Sequence, residues 1–595
     1  MKASSSHSIR RLKEGLQNWL GAMTTFQVNT TTDTQFSDIQ PAISKNLLDK
    51  LEFMGFTHAT SVQEAVIPLF LRKKDCVVEA CTGSGKTLAF LIPLFELLNS
   101  REEKWGRHEV AALIVAPTRE LAKQIFDIAH QLSEAFETLK VSLMIGGTNF
   151  QDSVQSVERD GANILIGTPG RLHELLKLPL LKVKNLDVLV LDEADRIIDM
   201  GNRMTLGRIL SALPKQRRTS LFSATLTEGV EELVRTGLRD PVKVSVQISY
   251  SDTQNQSTPN TLENFYMIVD YADKLDQVAA FLRSHASQKI ILFALTCHCA
   301  EWLGNILQNF CGNAVDILVC HGQMVQRRRD EYMGKFKSMS AGCLISTDVV
   351  SRGIDFSDID WILQLDAPVD PRTFVHRVGR TARNGKVGKA LLFLNEHEKE
   401  YASFLKIRDV PILQIAPEVQ PSCIRDSVVS LMRSDRAVME RAVKAFVSFV
   451  RAYKEHQCSY IFRLQHFNLY KLATAFCLNR LPKMKELEKI RFAGSISDFH
   501  SIGLDESVLR YKDRSREKQR QENIKRKLAA KEEVPAREFV ALEKRSRLQK
   551  HSQPAILGDE SESEDWQREE RLAKKLKTGK ITQAEFDSLN GYNDM

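Results

Sequence analysis

The run Val188 to Asp195, VLVLDEAD, constrains the fold more than any other stretch of the chain. Its apolar part is too short for a helix, is rich in branched residues, and stops on Asp192, Glu193 and Asp195. Such a run suits a strand buried on both faces of a parallel sheet, and the end of such a strand is where ligands sit in open α/β sheets. Upstream, Ala80-Cys81-Thr82-Gly83-Ser84-Gly85-Lys86-Thr87 follows a second apolar strand, Cys76 to Glu79, and precedes a helical pattern from Leu88 to Leu98. Small residues there let backbone N–H groups face phosphates at a helix N-terminus, Lys86 reaches the terminal phosphates, and the Thr87 hydroxyl suits Mg²⁺. The first position is Ala80 rather than the glycine of the general pattern.

From Asp75 the chain alternates apolar strands with helical periodicity, the signature of βαβ units on a parallel sheet. Strands are expected at 76–79, 111–116, 141–145, 163–167, 186–191 and 218–222. Just past their ends come Pro117 to Ala122, Gly146-Gly147, Thr168-Pro169-Gly170-Arg171, Asp192 to Asp195 and Ser223-Ala224-Thr225. These backbone N–H groups, hydroxyls and guanidinium forks suit a sugar-phosphate chain rather than base edges. Residues 246–262 are polar and aperiodic, as a linker should be. A second alternating set follows, with strands near 289–295, 315–320, 342–346, 361–365 and 389–393. Polar groups again follow strands, at His321-Gly322, Gln326, Arg329, Thr347-Asp348, Arg352 to Asp355 and His376 to Arg383. This half has no phosphate loop of its own. Its Arg380 and Arg383 are three apart, neighbours if helical, and read as arginine fingers for a γ-phosphate held by the first half. Before the first strand, Gln63 at a helix start can read an adenine edge, while Phe36 can stack on the base.

The 595 residues allow several domains. A hydrophobic share of 43% and a charged share of 27% exclude wholesale disorder. The ten cysteines include no CxxC pair, and Cys297-His298-Cys299 reads as ordinary thiols rather than a structural zinc site. No stretch reaches the apolar length of a membrane span. Residues 1–24, Ser-rich with Arg10, Arg11 and Lys13, read as a disordered extension, with a transit peptide as the alternative and Met23 as a second candidate start.

Together these residues resemble the DEAD-box ATP-dependent RNA helicases over about Phe36 to Pro417. The motifs fall in that family's order: Phe36, a Q motif ending in Gln63, Ala80 to Thr87, PTRELA, GG, TPGR, DEAD, SAT, the strand Ile291 to Thr296, His321 to Arg329, Thr347 to Asp355, and His376 to Arg383. Asp195 rather than His separates the chain from DEAH relatives, and Ala59 and Ser61 stand where the family usually has prolines. The resemblance implies two RecA-like domains closing on ATP–Mg²⁺ and one RNA strand. It assigns phosphates and Mg²⁺ to Lys86 and Thr87, Mg²⁺ through its water shell to Asp192, and activation of the attacking water to Glu193. The nucleotide is expected to meet Phe36, Phe56, Gln63, the loop Ala80 to Thr87, and Asp355 near the ribose. Arg380 and Arg383 are assigned to the transferring phosphoryl group, and Ser223 and Thr225 to the link between Asp195 and the RNA-gripping motifs. RNA backbone contacts fall to Thr118, Arg119, Gly147, Thr168, Gly170, Arg171 and Thr347. An ATP-gated RNA clamp with little unwinding is the alternative activity.

After Pro417 the pattern turns helical. Ala437, Val438, Ala442, Ala445, Phe446, Phe449, Val450 and Tyr453 recur at helix spacing, and a second piece runs from about Asn468 to Leu478. The expected reading is a helical module packed on the second RecA-like half. With KAFVSFVRAY, IFRL and LPKM it resembles the extension of helicases that assemble the large ribosomal subunit. That resemblance implies pre-rRNA and pre-ribosomal proteins as partners and a nucleolar, nuclear location, with the mitochondrion as the alternative. The formal charge of +8 concentrates after Tyr511, from Lys512 through Lys525-Arg526-Lys527 to Arg545, as a solvated helix or disordered arm with non-specific phosphate affinity. Lys525-Arg526-Lys527 or Lys574-Lys575 would suit nuclear import, and Ser561 and Ser563 lie among acids as phosphorylation candidates. The class is therefore α/β: an extension (1–35), RecA-like domains at 36–245 and 263–417 around a linker (246–262), a helical extension (418–510), and a charged, largely disordered tail (511–595).

Overall fold

A computed structural model of the chain describes residues 25–27 and 34–532, apart from 81–83, 137, 148, 225–227, 246–260, 351–355, 357, 383–385, 409, 418–423, 485 and 488–492. The first sheet contains β1 (Thr25–Gln27), β2 (Cys76–Glu79), β3 (Ala112–Val115), β4 (Val141–Met144), β5 (Ile164–Gly167), β6 (Val188–Leu191), β7 (Arg218–Ser223) and β8 (Val242–Ser245). Its spatial order is β1-β8-β2-β7-β6-β3-β5-β4, and every pairing is parallel. On β6, Val188 and Val190 enter one hydrophobic cluster, with Phe70, Phe90 and Phe95. Leu189 and Leu191 enter another, with Leu165, Leu172 and Val230. Alternate side chains point to opposite faces of a strand, so a run apolar at every position needs both faces covered.

The second sheet contains β9 (Leu262–Ile268), β10 (Lys289–Phe293), β11 (Ile317–Cys320), β12 (Gly342–Ser346), β13 (Trp361–Gln364), β14 (Gly388–Leu394) and β15 (Leu413–Ile415). Its order is β11-β12-β10-β13-β14-β9-β15, again parallel throughout. Two tandem parallel-sheet lobes are thus present. Four strands lie outside the expected set: β1, β8, β9 and β15. The first residue of β9, Leu262, falls in the span read as linker. These strands lie towards one side of their sheets, and their partly exposed residues, such as Glu263 and Leu413, break the continuous apolar signal.

The chain divides into two compact units. One holds both sheets together with Arg441–Cys477 and residues 492–500. Within it, Phe449 meets Tyr271 with ring centroids 5.4 Å apart, Phe476 stacks on Trp302 at 4.6 Å, and the Thr296 and Ser448 hydroxyls lie 2.8 Å apart. The helical stretch from Arg441 therefore packs on the second lobe, as its apolar stripe requires. The other unit contains Ser430–Glu440, residues 478–491 and the chain from Ser501. There the Arg436 N–H donates to the Arg510 carbonyl at 3.0 Å, and Asn479 donates to the Leu504 carbonyl at 2.8 Å.

Of the two forms expected for the basic stretch, the described part is a helix, and Tyr511 ahead of it is anchored: its hydroxyl donates to Glu440, its N–H donates to Glu517 at 3.0 Å, and Arg520 reaches the Ser507 carbonyl at 3.1 Å. The helix Arg514–Glu532 is thus anchored at its start and exposed over residues 521–526. Residues 1–24, Ser561, Ser563 and Lys574-Lys575 lie outside the described residues.

Phe90 is fully buried, with its ring 5.2 Å from Phe222 in an edge arrangement. Phe90→Ala is expected to cost about 3–5 kcal/mol, read as a lower denaturant midpoint of the first lobe. A loss below about 1 kcal/mol would show that this core collapses around the hole.

Candidate nucleotide site and RNA face

The helix Lys86–Asn99 starts at Gly85, whose φ of 85° lies in the left-handed region. A Cβ there would stand 2.6 Å from Gln63 Nε2 and 2.7 Å from Thr60 Oγ1. The phosphate loop is therefore held against the start of the helix Ser61–Leu71. Gln63 Nε2 donates to the Gly85 carbonyl at 3.0 Å, and the Thr60 hydroxyl donates to the Ser84 carbonyl at 2.8 Å. Gln63 Oε1 also accepts from the Thr60 N–H at 2.8 Å, closing a reciprocal N-terminal cap. Gln63 is thus a strap on the loop, a use that the Thr60-x-x-Gln63 spacing encodes. Non-proline Ala59 adds a bond, its N–H donating to the Thr34 carbonyl at 2.9 Å. Phe36 is packed in the core at 3% exposure rather than standing open to a base, while Phe56 is 39% exposed. Lys86 Nζ donates to the Ala80 carbonyl at 3.2 Å, and the Ala80 N–H donates to the Ser223 carbonyl at 3.1 Å, tying the loop to β7.

The carboxylates collect at the end of β6. Asp192, Glu193 and Asp195 are all buried. The Glu193 N–H donates to Asp192 Oδ1 at 2.9 Å. Burial pushes the Asp192 carboxyl well above its usual range, the Lys86 ammonium pulls it back, and the Glu193 and Asp195 charges push it up again. Glu193 sits at φ 47°, ψ 53°, a left-handed conformation that costs a non-glycine residue energy. Its Oε2 is buried with no hydrogen-bond partner. A strained, unpaired, buried carboxylate beside a phosphate loop is suited to accept a proton from a water placed there. Thr87 is half-buried at the second position of the helix.

Arginine and carboxylate contacts join the two lobes. Arg119 Nη1 donates to Gln326 Oε1 at 3.1 Å, Gln326 Nε2 donates to Glu120 at 3.3 Å, and Arg329 pairs with Glu120. Arg196, next to Asp195, donates to the Asp348 carbonyl at 2.7 Å. The Asp348 carboxylate in turn accepts from the fully buried Arg377 at 2.6 and 3.1 Å. Arg372 reaches Asp199 at 3.2 Å. Burial disfavours the Arg372 charge, but Asp370, Asp199 and Asp195 together raise its pKa above the ordinary value. Glu120, Arg196, Asp199, Arg372 and Arg377 are absent from the expected site. Their partners lie far away in sequence, so spacing carries no signal for them.

On the RNA side, Thr118 caps the helix Arg119–Ser133, accepting from the Leu121 N–H at 3.3 Å. Gly147 has φ 81°, and a Cβ there would enter the Arg119 guanidinium. Arg171 donates to Ser153 Oγ at 3.3 Å and lies over the Phe150 ring. Burial first, then the Arg329 and Arg171 charges, depresses the Arg119 pKa. Such a crowd of cations gains from an anion, as a phosphate would supply. Thr168 precedes the helix Pro169–Leu175, Gly170 has open space around it, and Thr347 is buried just past β12. Arg380 is buried beyond the end of the helix Arg372–Val378 rather than on it, its Nε donating to the His376 carbonyl at 3.3 Å. Cys81, Thr82, Gly83, Thr225, Asp355 and Arg383 lie outside the described residues.

Two parallel-sheet lobes with one phosphate loop, strand-end carboxylates and facing arginines define a nucleotide-driven machine of the tandem RecA-like class. Family models agree: residues 60–233 match the DEAD/DEAH box helicase family, 273–385 the helicase conserved C-terminal domain, and 435–484 the "ATP-dependent rRNA helicase SPB4-like, C-terminal extension". The chain is 42% identical over 584 residues to the ATP-dependent RNA helicase DDX55 of Danio rerio, covering 95% of this chain and 97% of that protein. It is 38% identical over 581 residues to DEAD-box ATP-dependent RNA helicase 18 of Oryza sativa subsp. japonica, covering 95% and 89%. Among solved structures it resembles Mss116p bound to single-stranded RNA and AMP-PNP, with 26% identity, a TM-score of 0.66, and 76% of this chain and 93% of that one covered. The chain belongs to the DEAD-box ATP-dependent RNA helicases, and it binds ATP and RNA as members of that family do.

Gly85→Ala is expected to raise the KM for ATP by about ten-fold or more, since it drives a methyl group into the Gln63–Thr60 strap in a conformation that disfavours Cβ. ATP titration checks this, and an unchanged KM would remove the strap from nucleotide binding.

Proposed function

We propose that this helicase locally separates or remodels ribosomal RNA precursors during assembly of the large ribosomal subunit, within the nucleolus. The observation that carries the reading is the match of residues 435–484 to an extension described as that of an rRNA helicase. The resemblance to DDX55 over almost the whole chain supports it. Pre-ribosomal proteins are the expected neighbours. The test is crosslinking of bound RNA followed by sequencing: large-subunit precursor sequences are expected, and recovery chiefly of mitochondrial transcripts would overturn the assignment.

In the reaction we assign Lys86 and Thr87 to the ATP phosphates, Glu193 to orienting and deprotonating the attacking water, and Arg380 with Arg383 to the transferring phosphoryl group. Mg²⁺ fits the same place: Asp192 and Glu193 are carboxyl groups out of water, one with an unpartnered oxygen, and a cation there would stabilise their charged forms. Thr87 and Asp192 would hold the ion, Asp192 partly through water, and when bound it neutralises phosphate charge. Phe56, Gln63, the loop Ala80 to Thr87, and Asp355 would receive the nucleotide. Thr118, Arg119, Gly147, Thr168, Gly170, Arg171 and Thr347 would grip the RNA backbone, so little sequence preference is expected. Asp195, Ser223 and Thr225 would link the two events. The Ala80–Ser223 bond and the Arg196–Asp348 contact support that role.

Glu193→Gln should keep ATP and RNA binding and lose turnover, measured by filter binding and phosphate release; hydrolysis at the wild-type rate would remove Glu193 from the base role. Lys525→Ala with Arg526→Ala spares the Tyr511 anchor. It should flatten the log–log salt dependence of RNA binding by about 1.4, roughly 0.7 per lost charge. An unchanged slope would show that the arm does not touch RNA.

A further inference from the structure

The short helix Arg372–Val378 carries Arg372 and Arg377, which serve contacts to the first lobe, yet seven residues are too few to hold their own position. Its place is set by the turn of residues 365–371, which leaves β13 and enters the helix at Pro371. One side of that turn holds the helix. The Asp366 carbonyl accepts from Arg377 Nη1 at 3.1 Å, and the Asp370 carboxylate accepts from the Arg372 N–H at 3.0 Å. From there Arg372 reaches Asp199, while Arg377 clamps the carboxylate of Asp348, whose carbonyl accepts from Arg196.

The other side of the turn is held by the helical extension and by the helix Tyr271–Ser284. The Gln457 N–H donates to the Val369 carbonyl at 3.0 Å. The Tyr271 hydroxyl donates to Asp366 Oδ1 at 3.2 Å, and Lys274 Nζ lies 3.4 Å from the same oxygen and 3.0 Å from the Leu365 carbonyl. The Tyr271 ring is itself fixed by the extension: its centroid lies 5.4 Å from that of Phe449 and 4.8 Å from that of Phe467, both 2% exposed. Tyr453 closes the group, 4.7 Å from Phe467. Asp366 and Lys274 are both buried. Burying such a pair costs desolvation that its attraction repays only in part, so it adds little net stability. Asp366 is nonetheless gripped twice, by its carboxylate from one side and by its carbonyl from the other, which leaves the turn one position.

We propose that Tyr271 is a positioning residue for RNA-stimulated ATP hydrolysis: clamped by Phe449 and Phe467 of the extension, it holds Asp366, and through it sets Arg377 and the helix Arg372–Val378 against the first lobe. Arg372 and Arg377 stand near the two ends of one short helix, so displacing the turn moves both contacts at once. The extension is thereby part of the surface on which the motor closes. This use needs ATP and RNA, but not a ribosomal precursor as the RNA.

Tyr271→Phe in the full chain tests this, because the ring stays between Phe449 and Phe467 while the hydroxyl is lost. ATP hydrolysis is followed over a titration of ATP at saturating poly(A) RNA, with rates normalised to the folded fraction from circular dichroism. The kcat is expected to fall about ten-fold with the KM for ATP unchanged, as loss of positioning in the closed state requires. An unchanged kcat, or a raised KM at unchanged kcat, overturns the proposal. Combining Tyr271→Phe with Arg196→Ala tests the route: a loss smaller than the product of the two single losses is expected, and full multiplication overturns it. Should Tyr271→Phe fold poorly, Phe449→Leu decides, since it loosens the ring clamp and leaves the hydroxyl. The same fall in kcat at constant KM is expected, and a full rate in that folded variant overturns the proposal.

Discussion

Three carboxylates withdrawn from water at the end of one strand are the constraint from which the rest of this structure follows. Asp192, Glu193 and Asp195 lie within four positions and are all buried. Charges of one sign do not stay buried together without compensation. Lys86 supplies part of it, and a strained Glu193 keeps one buried oxygen without a hydrogen-bond partner. The sheet that carries this cluster needs both faces covered, which the two hydrophobic clusters on either side of β6 provide. The site is thus costly by itself and stabilised by what it binds, as a switch requires.

The second lobe completes the charge balance. Arg372 feels Asp195 and Asp199, and Arg196 ties the strand-end acids to Asp348, whose own carboxylate is clamped by Arg377. A separate bridge joins Arg119 and Glu120 to Gln326 and Arg329. Arg119 also lies over Gly147, so one residue expected to hold RNA is also one that holds the lobes together. Filling that cationic crowd with phosphate and filling the carboxylate site with nucleotide would therefore act on one shared interface.

Much of this was legible in the chain because chemistry at the carboxyl ends of parallel strands is written in consecutive residues. Among the described residues, Ser84 to Thr87, the DEAD run and the groups just past β3, β5 and β12 stand where periodicity places them. Long-range pairing was not legible: nothing near Asp348 announces Arg377, and nothing near Glu120 announces Arg329. Phe36 reads as an aromatic free to stack, yet it is buried in the same hydrophobic cluster as Phe70. Gln63 reads as an adenine reader, and here both ends of its amide also engage backbone of the cap and the loop. The signal for that use, a Thr three residues before a Gln at a helix start, was present. Tyr511 opens a basic stretch in composition but is fixed by Glu440, a partner seventy-one residues earlier.

With the site divided between the lobes, neither lobe is expected to hydrolyse ATP until RNA and nucleotide draw both together. Steady-state phosphate release measured across a titration of single-stranded RNA tests it most directly. A rate close to background without RNA and a saturable rise with it are expected; a rate that is the same with and without RNA would show that hydrolysis does not need the RNA-closed state.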